Sequence, residues 1–262
     1  IDSLGEMFGV NILEQSPNIT DIVNQLFHVY QRRPLQKAVR DKYDIEGYCF
    51  FDTGVFKVLV DAGEPSPKFN PGHAHDSTGA LSISVGGVPL IVNGIISTYE
   101  RCGTRIKERS RSAYSKPQNL GVAQDTWASF RVASRRKPQL FALKNGFMVY
   151  VETSKNGFQR VVSEIPQGLT IIDKSLNSSS IRIISQFIVG PDFDVGECIK
   201  NKIQLRQRGS ATCILVTFTK ETKVRVKKVF LGVGYGKIRA HDALIFEVTG
   251  KQLDLIIKKE ED

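Results

Sequence analysis

The hydrophobic pattern changes at Cys49, and this change constrains the fold more than any other feature of the sequence. After Cys49, strand-like segments such as Val55–Val60 and Leu81–Val85 recur, and several of them alternate between apolar and polar residues. About a dozen such segments follow at fairly regular spacing, with no helical pattern between them. Because parallel strands need crossover helices, the sequence predicts a large antiparallel β-sandwich, a mainly β fold.

Two Asn-Gly pairs support this prediction. Asn145-Gly146 and Asn156-Gly157 each fall between two strand-like segments. Asn-Gly is the strongest short signal for a two-residue hairpin turn, because both residues tolerate the positive φ that such turns require. We therefore expect an antiparallel meander through residues 140–165.

The first 48 residues have a different pattern. Ser16-Pro17 is typical of a helix start with proline at the first helical position, and apolar residues then recur at helical spacing from Ile19 to Tyr30. A weaker helical pattern covers residues 34–42. The sequence therefore predicts a short helical segment at residues 1–48, followed by a sandwich domain at residues 49–262.

Composition excludes two classes of protein and points to a class of partner. Of the 262 residues, 41% are hydrophobic and 24% are charged, and no apolar run is long enough for a membrane-spanning helix, so neither disorder nor a membrane span is expected. The net charge is +9, and residues 101–140 hold ten basic residues against two acidic ones. This excess favours an anionic partner. No secretory signal opens the sequence, and the compartment, periplasm or cytoplasm, stays open.

A pair of histidines is the first candidate for chemistry. His73 and His75 lie two residues apart in a Pro-Gly-His-Ala-His-Asp segment. In an extended segment this spacing puts both imidazoles on one face, where they can act as two metal ligands or as a ligand and a base. The pattern alone is equally compatible with a histidine pair in a polar loop.

The motifs around the histidines occur in a recognisable order. They are Phe-Asp-Thr-Gly at 51–54, Asp-Ala-Gly at 61–63, the histidine pair, a Gly-Gly to Asn-Gly segment at 86–94, Thr-Tyr-Glu at 98–100 and Arg-Ser-Arg-Ser-Ala-Tyr at 109–114. This succession resembles the C-terminal β-sandwich domain of the heparinase II/III family of polysaccharide lyases and lyase-like proteins. By motif the resemblance covers residues 50–140, and the later strands agree in type.

The resemblance implies a cleft enzyme that acts on acidic glycans. In that family an α/α-toroid precedes the sandwich, and the active site lies between the two domains. Active members cleave uronate-containing glycans by β-elimination: a base removes the proton at C5, and an acid protonates the leaving glycosidic oxygen. Residues 1–48 match the tail of the toroid at most, so the toroid's catalytic residues have no counterpart here. The expected partners are an acidic polysaccharide and the protein's own upstream helical domain.

The resemblance also assigns roles to single residues. His73 matches a histidine that faces the cleft and acts on substrate, and His75 matches a zinc ligand. Asn93 and Tyr114 stand where metal-binding members have an aspartate and a histidine. An amide and a phenol are poor zinc ligands, so we expect either no cofactor or zinc at a degenerate site, with Asp76 as a possible substitute ligand.

The basic residues and two aromatic residues complete the candidate site. Arg105, Lys107, Arg109 and Arg111 alternate, so an extended segment would point all four to one face and let them pair with carboxylates or sulfates. Trp127 can stack on a sugar ring, and Tyr99 can donate a proton. The structural alternatives are a solvated strand face for the basic residues and core positions for Trp127 and Tyr99.

Three further functions are compatible with parts of the sequence. The first is a non-catalytic, glycan-binding or structural relative, which the replacements at Asn93 and Tyr114 favour. The second is a cupin-like metal enzyme, which lacks support because no glutamate follows the histidine pair at the expected distance. The third is nucleic-acid binding, which we do not expect because no recognised module is present. The preferred hypothesis is a lyase domain with a role in surface polysaccharide metabolism, such as that of lipopolysaccharide or capsule.

Overall fold

A computed structural model describes residues 47–66, 69–120, 126–127, 131–132, 138–151, 157–176 and 181–260. At Thr126, Trp127 and Ile181 it describes the backbone only. The helical segment predicted for residues 1–48 lies outside the described residues, except for Gly47 and Tyr48, and Tyr48 already begins the first strand.

Two antiparallel sheets make up most of the described chain. The first has the spatial order β1 (Tyr48–Asp52), β2 (Phe56–Asp61), β3 (Leu81–Val85), β4 (Val88–Val92), β11 (Ile181–Val189), β16 (Lys237–Gly250) and β15 (Lys223–Gly234). The second has the order β12 (Phe193–Ile199), β13 (Lys202–Gln207), β14 (Cys213–Phe218), β17 (Gln252–Lys259), β10 (Gly168–Ser175), β9 (Phe158–Ile165), β8 (Gly146–Val151) and β7 (Gln139–Leu143). The predicted antiparallel β-sandwich is confirmed.

Four small elements accompany the sheets. They are a two-stranded pair, β5 (Thr126–Trp127) and β6 (Arg131–Val132), the helix α1 (Gly103–Arg109), and two 3-10 helices, Pro71–His73 and Arg111–Ala113. No helix among the described residues is both long and apolar enough to cross a membrane.

The inner faces of the two sheets form the main core. On β2 the alternation is complete: Phe56, Val58 and Val60 are fully buried between the sheets, and the residues between them face outward. Phe187 and Phe246 meet edge to face in this core, with their ring centroids 5.8 Å apart. Aromatic pairs in this geometry add to the stabilisation that apolar burial provides.

The predicted meander is present as β7, β8, β9 and β10, each paired with the next. The first hairpin lies where the sequence predicts it, but Leu143 pairs with Gly146, so its two turn residues are Lys144 and Asn145 and Gly146 begins β8. Neither turn residue has a positive φ, so this turn differs from the type that the Asn-Gly pair predicts. A Cβ on Gly146 would lie 2.0 Å from the carbonyl oxygen of Val162, so only glycine fits there. The second pair lies at the β8–β9 connection, where Gly157 is described and Asn156 lies outside the described residues.

The outer face of the first sheet carries a smaller second core. Tyr114 and Ala113 pack there against Leu231 and Ile245 of the β15–β16 hairpin. Through this cluster the segment that contains α1 and the second 3-10 helix covers part of the sheet. The candidate site lies in this outer layer.

The prediction of an extended basic segment is wrong. Arg105, Lys107 and Arg109 lie on α1, and Arg111 begins the 3-10 helix that follows. Residues two apart on a helix point in nearly opposite directions, whereas residues four apart share a face. Arg105 and Arg109 therefore face the protein together, while Lys107 is exposed.

A buried ion pair joins the two sheets. Arg160 on β9 donates from Nε and Nη2 to the two carboxylate oxygens of Asp173 on β10, at 2.6 and 2.7 Å. Its Nη1 donates to the carbonyl oxygens of Gly79 and Ser115, at 2.8 and 3.0 Å, in segments next to the first sheet. Both charged side chains are almost fully buried.

We expect Arg160→Met to lower the free energy of unfolding by about 3–5 kcal/mol, because it leaves the Asp173 carboxylate buried without its counterion. Urea unfolding followed by tryptophan fluorescence and circular dichroism measures the change. The double variant Arg160→Met/Asp173→Leu removes both charges and should recover part of the loss. A single variant within about 0.5 kcal/mol of the parent would contradict the prediction.

Candidate functional site

An open cavity of about 860 Å³ lies on the outer face of the first sheet. Its floor includes Leu59 and Asp61 of β2 and Ser82 of β3, which alternate with the buried core residues of the same strands. The segment with the two histidines forms one wall, and Asn93 to Ile96 with Tyr114 form another. Both histidines line the cavity.

His73 and Tyr99, the two predicted catalytic residues, lie next to each other. His73 ends the first 3-10 helix and is exposed at the cavity wall. Its ring centroid is 5.8 Å from that of Tyr99, whose side chain is 43% exposed. Tyr99 is therefore exposed and does not occupy the core position that the sequence analysis gave as its alternative. The two side chains can face one ligand, and their roles in catalysis stay predictions.

Arg105 and Arg109 hold the histidine segment from below. Arg105 donates from Nη2 to the carbonyl oxygen of Gly72 at 2.6 Å. Arg109 donates from Nε to Ala74 at 2.8 Å and from Nη2 to Pro71 at 3.0 Å. Both side chains are fully buried, so they do not form the solvent-facing surface that was expected to bind substrate.

Arg105 also lies beneath Tyr99. Its guanidinium carbon is 4.8 Å from the centroid of the Tyr99 ring, within the range of a cation–π interaction. Its Nε and Nη1 are buried and have no hydrogen-bond partner in the part of the chain that the structure describes. Burial accordingly lowers the pKa of this guanidinium. One side chain thus contacts both segments that carry the candidate catalytic residues.

Glu108 completes the attachment of α1 to the Tyr99 segment. Its buried carboxylate accepts the backbone N–H of Ser97 at 3.0 Å and also the Ser97 hydroxyl. The short helix is therefore bound on one side to the histidine segment and on the other to the segment two residues before Tyr99. The relative position of His73 and Tyr99 depends on these contacts.

Arg111 pairs inside the protein as well. Asp76 accepts hydrogen bonds from Arg111 Nε at 3.0 Å and from Lys116 Nζ at 2.9 Å, and the Lys116 side chain is buried. Burial alone would raise the pKa of Asp76, but the charges of Lys116 and Arg111 hold that pKa below its ordinary value. Asp76 is therefore a structural counterion whose two carboxylate oxygens are each held by a cation, which disfavours the predicted role as a substitute metal ligand.

His75 and Tyr114 contact each other directly. The Tyr114 hydroxyl lies within hydrogen-bond distance of His75 Nδ1, and it donates to the carbonyl oxygen of Glu108 at 3.2 Å. Burial, and then the charges of Arg105 and Arg109, lower the pKa of His75 to about 4, so this imidazole is neutral at physiological pH. Burial also raises the pKa of Tyr114 well above its ordinary value, which keeps the phenol protonated.

The side chains present do not fit the zinc ion that the family resemblance implies. The Asn93 amide donates to the Leu81 carbonyl and the Ser82 hydroxyl, both at 3.0 Å, and its oxygen accepts the Ser115 N–H at 2.7 Å. Nδ1 of His75 faces the Tyr114 hydroxyl. Within the described residues no group of three or more His, Cys, Asp or Glu side chains is placed to hold a metal.

Several residues that line the cavity were missed in the sequence analysis. For one residue that was predicted, the position of the side chain stays open. Asp61 and Ser82 were missed, although their outward parity on β2 and β3 follows from the strand alternation. Burial raises the pKa of Asp61. Trp127 lies on β5, but its side chain lies outside the described part of the structure, so its stacking on a sugar stays a prediction.

Comparison with known families agrees with this geometry. Residues 42–257 match the model for the C-terminal domain of heparinase II/III-like proteins. The chain belongs to this family. No curated protein matches the sequence significantly.

Solved structures of heparinase family members have the same fold. Heparan sulfate lyase HepC from Pedobacter heparinus superposes with a TM-score of 0.62 at 15% identity, over 83% of this chain and 36% of that chain. A HepC mutant gives 0.64 at 13% identity, over 93% and 42%, and a heparinase III gives 0.61 at 14%, over 82% and 35%. The present chain thus spans less than half the length of these proteins, and the likeness shows the sandwich fold.

The arginine contacts can be tested by hydrogen exchange. We expect Arg109→Ala to speed amide exchange in peptides that cover residues 71–76, because the variant removes the donors that hold the Pro71 and Ala74 carbonyls. Peptides from the second sheet should exchange as in the parent. Lys107→Ala, on the exposed side of the same helix, is the matched control. Equal exchange of residues 71–76 in the parent and in Arg109→Ala would contradict the role of the guanidinium.

The poor fit to zinc can be tested with a designed ligand set. We expect chelation by EDTA to leave the melting temperature of the parent unchanged, because His75, Asn93 and Tyr114 do not offer three ligands. The variant Asn93→Asp/Tyr114→His supplies a carboxylate and an imidazole at these positions and should gain a zinc-dependent rise in melting temperature. Tyr114→Phe controls for loss of the His75 contact. One tightly bound zinc per purified parent chain would contradict the expectation.

Proposed function

We propose that this chain is the sandwich domain of a polysaccharide lyase of the heparinase II/III type, which cleaves an acidic, uronate-containing glycan by β-elimination. The observation that carries the proposal is the adjacency of His73 and Tyr99 at an open cavity on the outer face of the first sheet. Family membership supports the reaction class. A role in lipopolysaccharide or capsule metabolism rests on the resemblance alone.

The proposed reaction needs one base and one acid on the same ligand. Imidazole is the side chain that most readily accepts a proton near neutral pH, so His73 removes the proton from C5 of the uronate. The electrons of the C5–H bond form the C4–C5 double bond, and the C4–O bond breaks. Tyr99 donates its hydroxyl proton to the departing glycosidic oxygen. The products are a chain with a new hydroxyl end and an unsaturated uronate.

The remaining catalytic groups belong to the upstream helical domain in this proposal. The described residues supply an acid–base pair, but Arg105 and Arg109 are buried and are not available to the substrate carboxylate. The substrate carboxylate must be neutralised for the C5 proton to become acidic enough. A domain interface at this cavity would supply that group, as the cleft arrangement of the family implies.

A second candidate function is a non-catalytic, glycan-binding relative. The observation that favours it is the His75–Tyr114 contact, which occupies the position where metal-binding members hold zinc. A chain that has lost one conserved feature of its site can also have lost turnover. The two candidates differ in a single measurable property, the formation of an unsaturated product.

The test uses the native full-length protein with a panel of uronate polysaccharides, including heparan sulfate. We expect a rise in the ultraviolet absorbance of the unsaturated uronate for at least one substrate. His73→Ala and Tyr99→Phe should each lower kcat by about 100-fold or more, because each removes a proton-transfer group. Lys202→Gln, on the second sheet, is the surface control. No product from any substrate would reject the lyase proposal and leave the binding relative.

A further inference from the structure

A second group of exposed positive charge lies outside the segment that the sequence indicated. Three of the four basic residues that were expected to form a binding face, Arg105, Arg109 and Arg111, are held internally, as is the nearby Lys116. The hairpin formed by β15 and β16 carries six basic residues between Lys223 and Glu247, against two acidic ones. All six basic residues of this hairpin are exposed.

Four of these basic residues point to the same side of the sheet as the cavity. On β15, Val229 and Leu231 pack into the cluster on the outer face, so Lys223, Arg225 and Lys227 also point outward by strand alternation. Pairing with β16 gives the same result, because Lys227 is opposite Ala243 and Arg225 is opposite Ile245, both members of that cluster. Arg239 is opposite Leu231 and shares this face.

The end of the hairpin is attached to the rim of the cavity. Ile95, which lines the cavity, donates its N–H to the carbonyl oxygen of Gly232 at 3.1 Å. Gly236 in the turn donates to the carbonyl oxygen of Ser97 at 2.7 Å. Tyr235, beside Gly236, is 76% exposed. The outer face of the hairpin thus continues the surface that begins at the cavity, two residues from Tyr99.

Three of the cations on this face have no acidic partner. Glu247 pairs with Arg182 at 3.4 Å and with Arg225 at 3.7 Å, and Asp242 pairs with Lys228 on the opposite face of the hairpin. Lys223, Lys227 and Arg239 make no ion pair with a described residue. Basic residues on an edge strand also oppose pairing with other chains. Protection of the sheet edge does not by itself explain why these basic residues lie on the same face as the cavity.

We propose that this face, defined by Lys223, Arg225, Lys227, Tyr235 and Arg239 and here called the basic ribbon, binds a polyanionic carbohydrate chain that extends out of the cavity. Alternate residues of a strand lie about 7 Å apart, so the cations form a row that carboxylate or sulfate groups along a glycan can follow. The exposed Tyr235 ring offers an apolar face for a sugar at the start of the row. The choice of an acidic glycan rests on the proposed function, whereas the binding itself does not require turnover.

The test compares two variants with equal loss of charge. Lys227→Gln/Arg239→Gln removes two unpaired cations of the basic ribbon, and Lys202→Gln/Lys258→Gln removes two exposed cations from the second sheet. The probe is heparin, immobilised for salt elution and as a defined oligosaccharide for titration calorimetry. We expect the ribbon variant to elute at lower salt and its Kd to rise at least tenfold, while the control stays within about threefold. Equal shifts in both variants, or none in the ribbon variant, would overturn the proposal.

Two further experiments distinguish this proposal from the lyase proposal and from general binding of polyanions. In the full-length protein, turnover is measured with His73→Ala, which should lower kcat by about 100-fold or more, and binding is measured with the ribbon variant on heparin, so failure of the lyase proposal and failure of ribbon binding give different results. Duplex DNA is the competitor that tests for a general polyanion or nucleic-acid surface. DNA that displaces heparin at equal charge concentration would reject the assignment to a carbohydrate ligand. Retention of heparin against that competitor supports it.

Discussion

The buried guanidinium of Arg160 is the interaction on which the rest of the structure depends. It satisfies the Asp173 carboxylate within the second sheet and also donates to Gly79 and Ser115 beside the first sheet. Ser115 in turn donates to the Asn93 side chain and to the Val92 carbonyl oxygen. Because a buried charge without its partners is costly, the two sheets and the floor of the cavity are held in one arrangement.

In the outer layer, buried charged side chains hold the loops in the same way. Arg105 and Arg109 donate to the carbonyls of the histidine segment, and Glu108 accepts from Ser97 near Tyr99. Backbone carbonyls accept hydrogen bonds from both guanidinium groups, and the Tyr99 ring lies against that of Arg105. The positive charge of residues 101–140 is therefore partly a structural device that positions His73 and Tyr99. The exposed cations of the basic ribbon lie outside this segment, on the β15–β16 hairpin.

His75 is held by a contact within this chain. The match to the family covers the sandwich, and in this chain the Tyr114 hydroxyl contacts His75 directly. A hydrogen bond can hold an imidazole in place as a metal can, but it supplies no Lewis acid. In the proposed reaction the proton transfers are accordingly assigned to the exposed side chains of His73 and Tyr99.

The sequence by itself determined the sandwich and the place of the first hairpin. Strand alternation is a local property, so β3 and β14 were predicted with the bounds that the structure has. Only the tertiary structure decided that Arg105 to Arg109 form a helix whose buried face holds the histidine segment, and that Tyr114 reaches His75. Alternating arginines suit an extended segment as well as a helix, and the choice depends on carbonyl oxygens more than thirty residues away in the chain. Whether a charged side chain is exposed depends on tertiary packing, and a local sequence pattern does not contain that information.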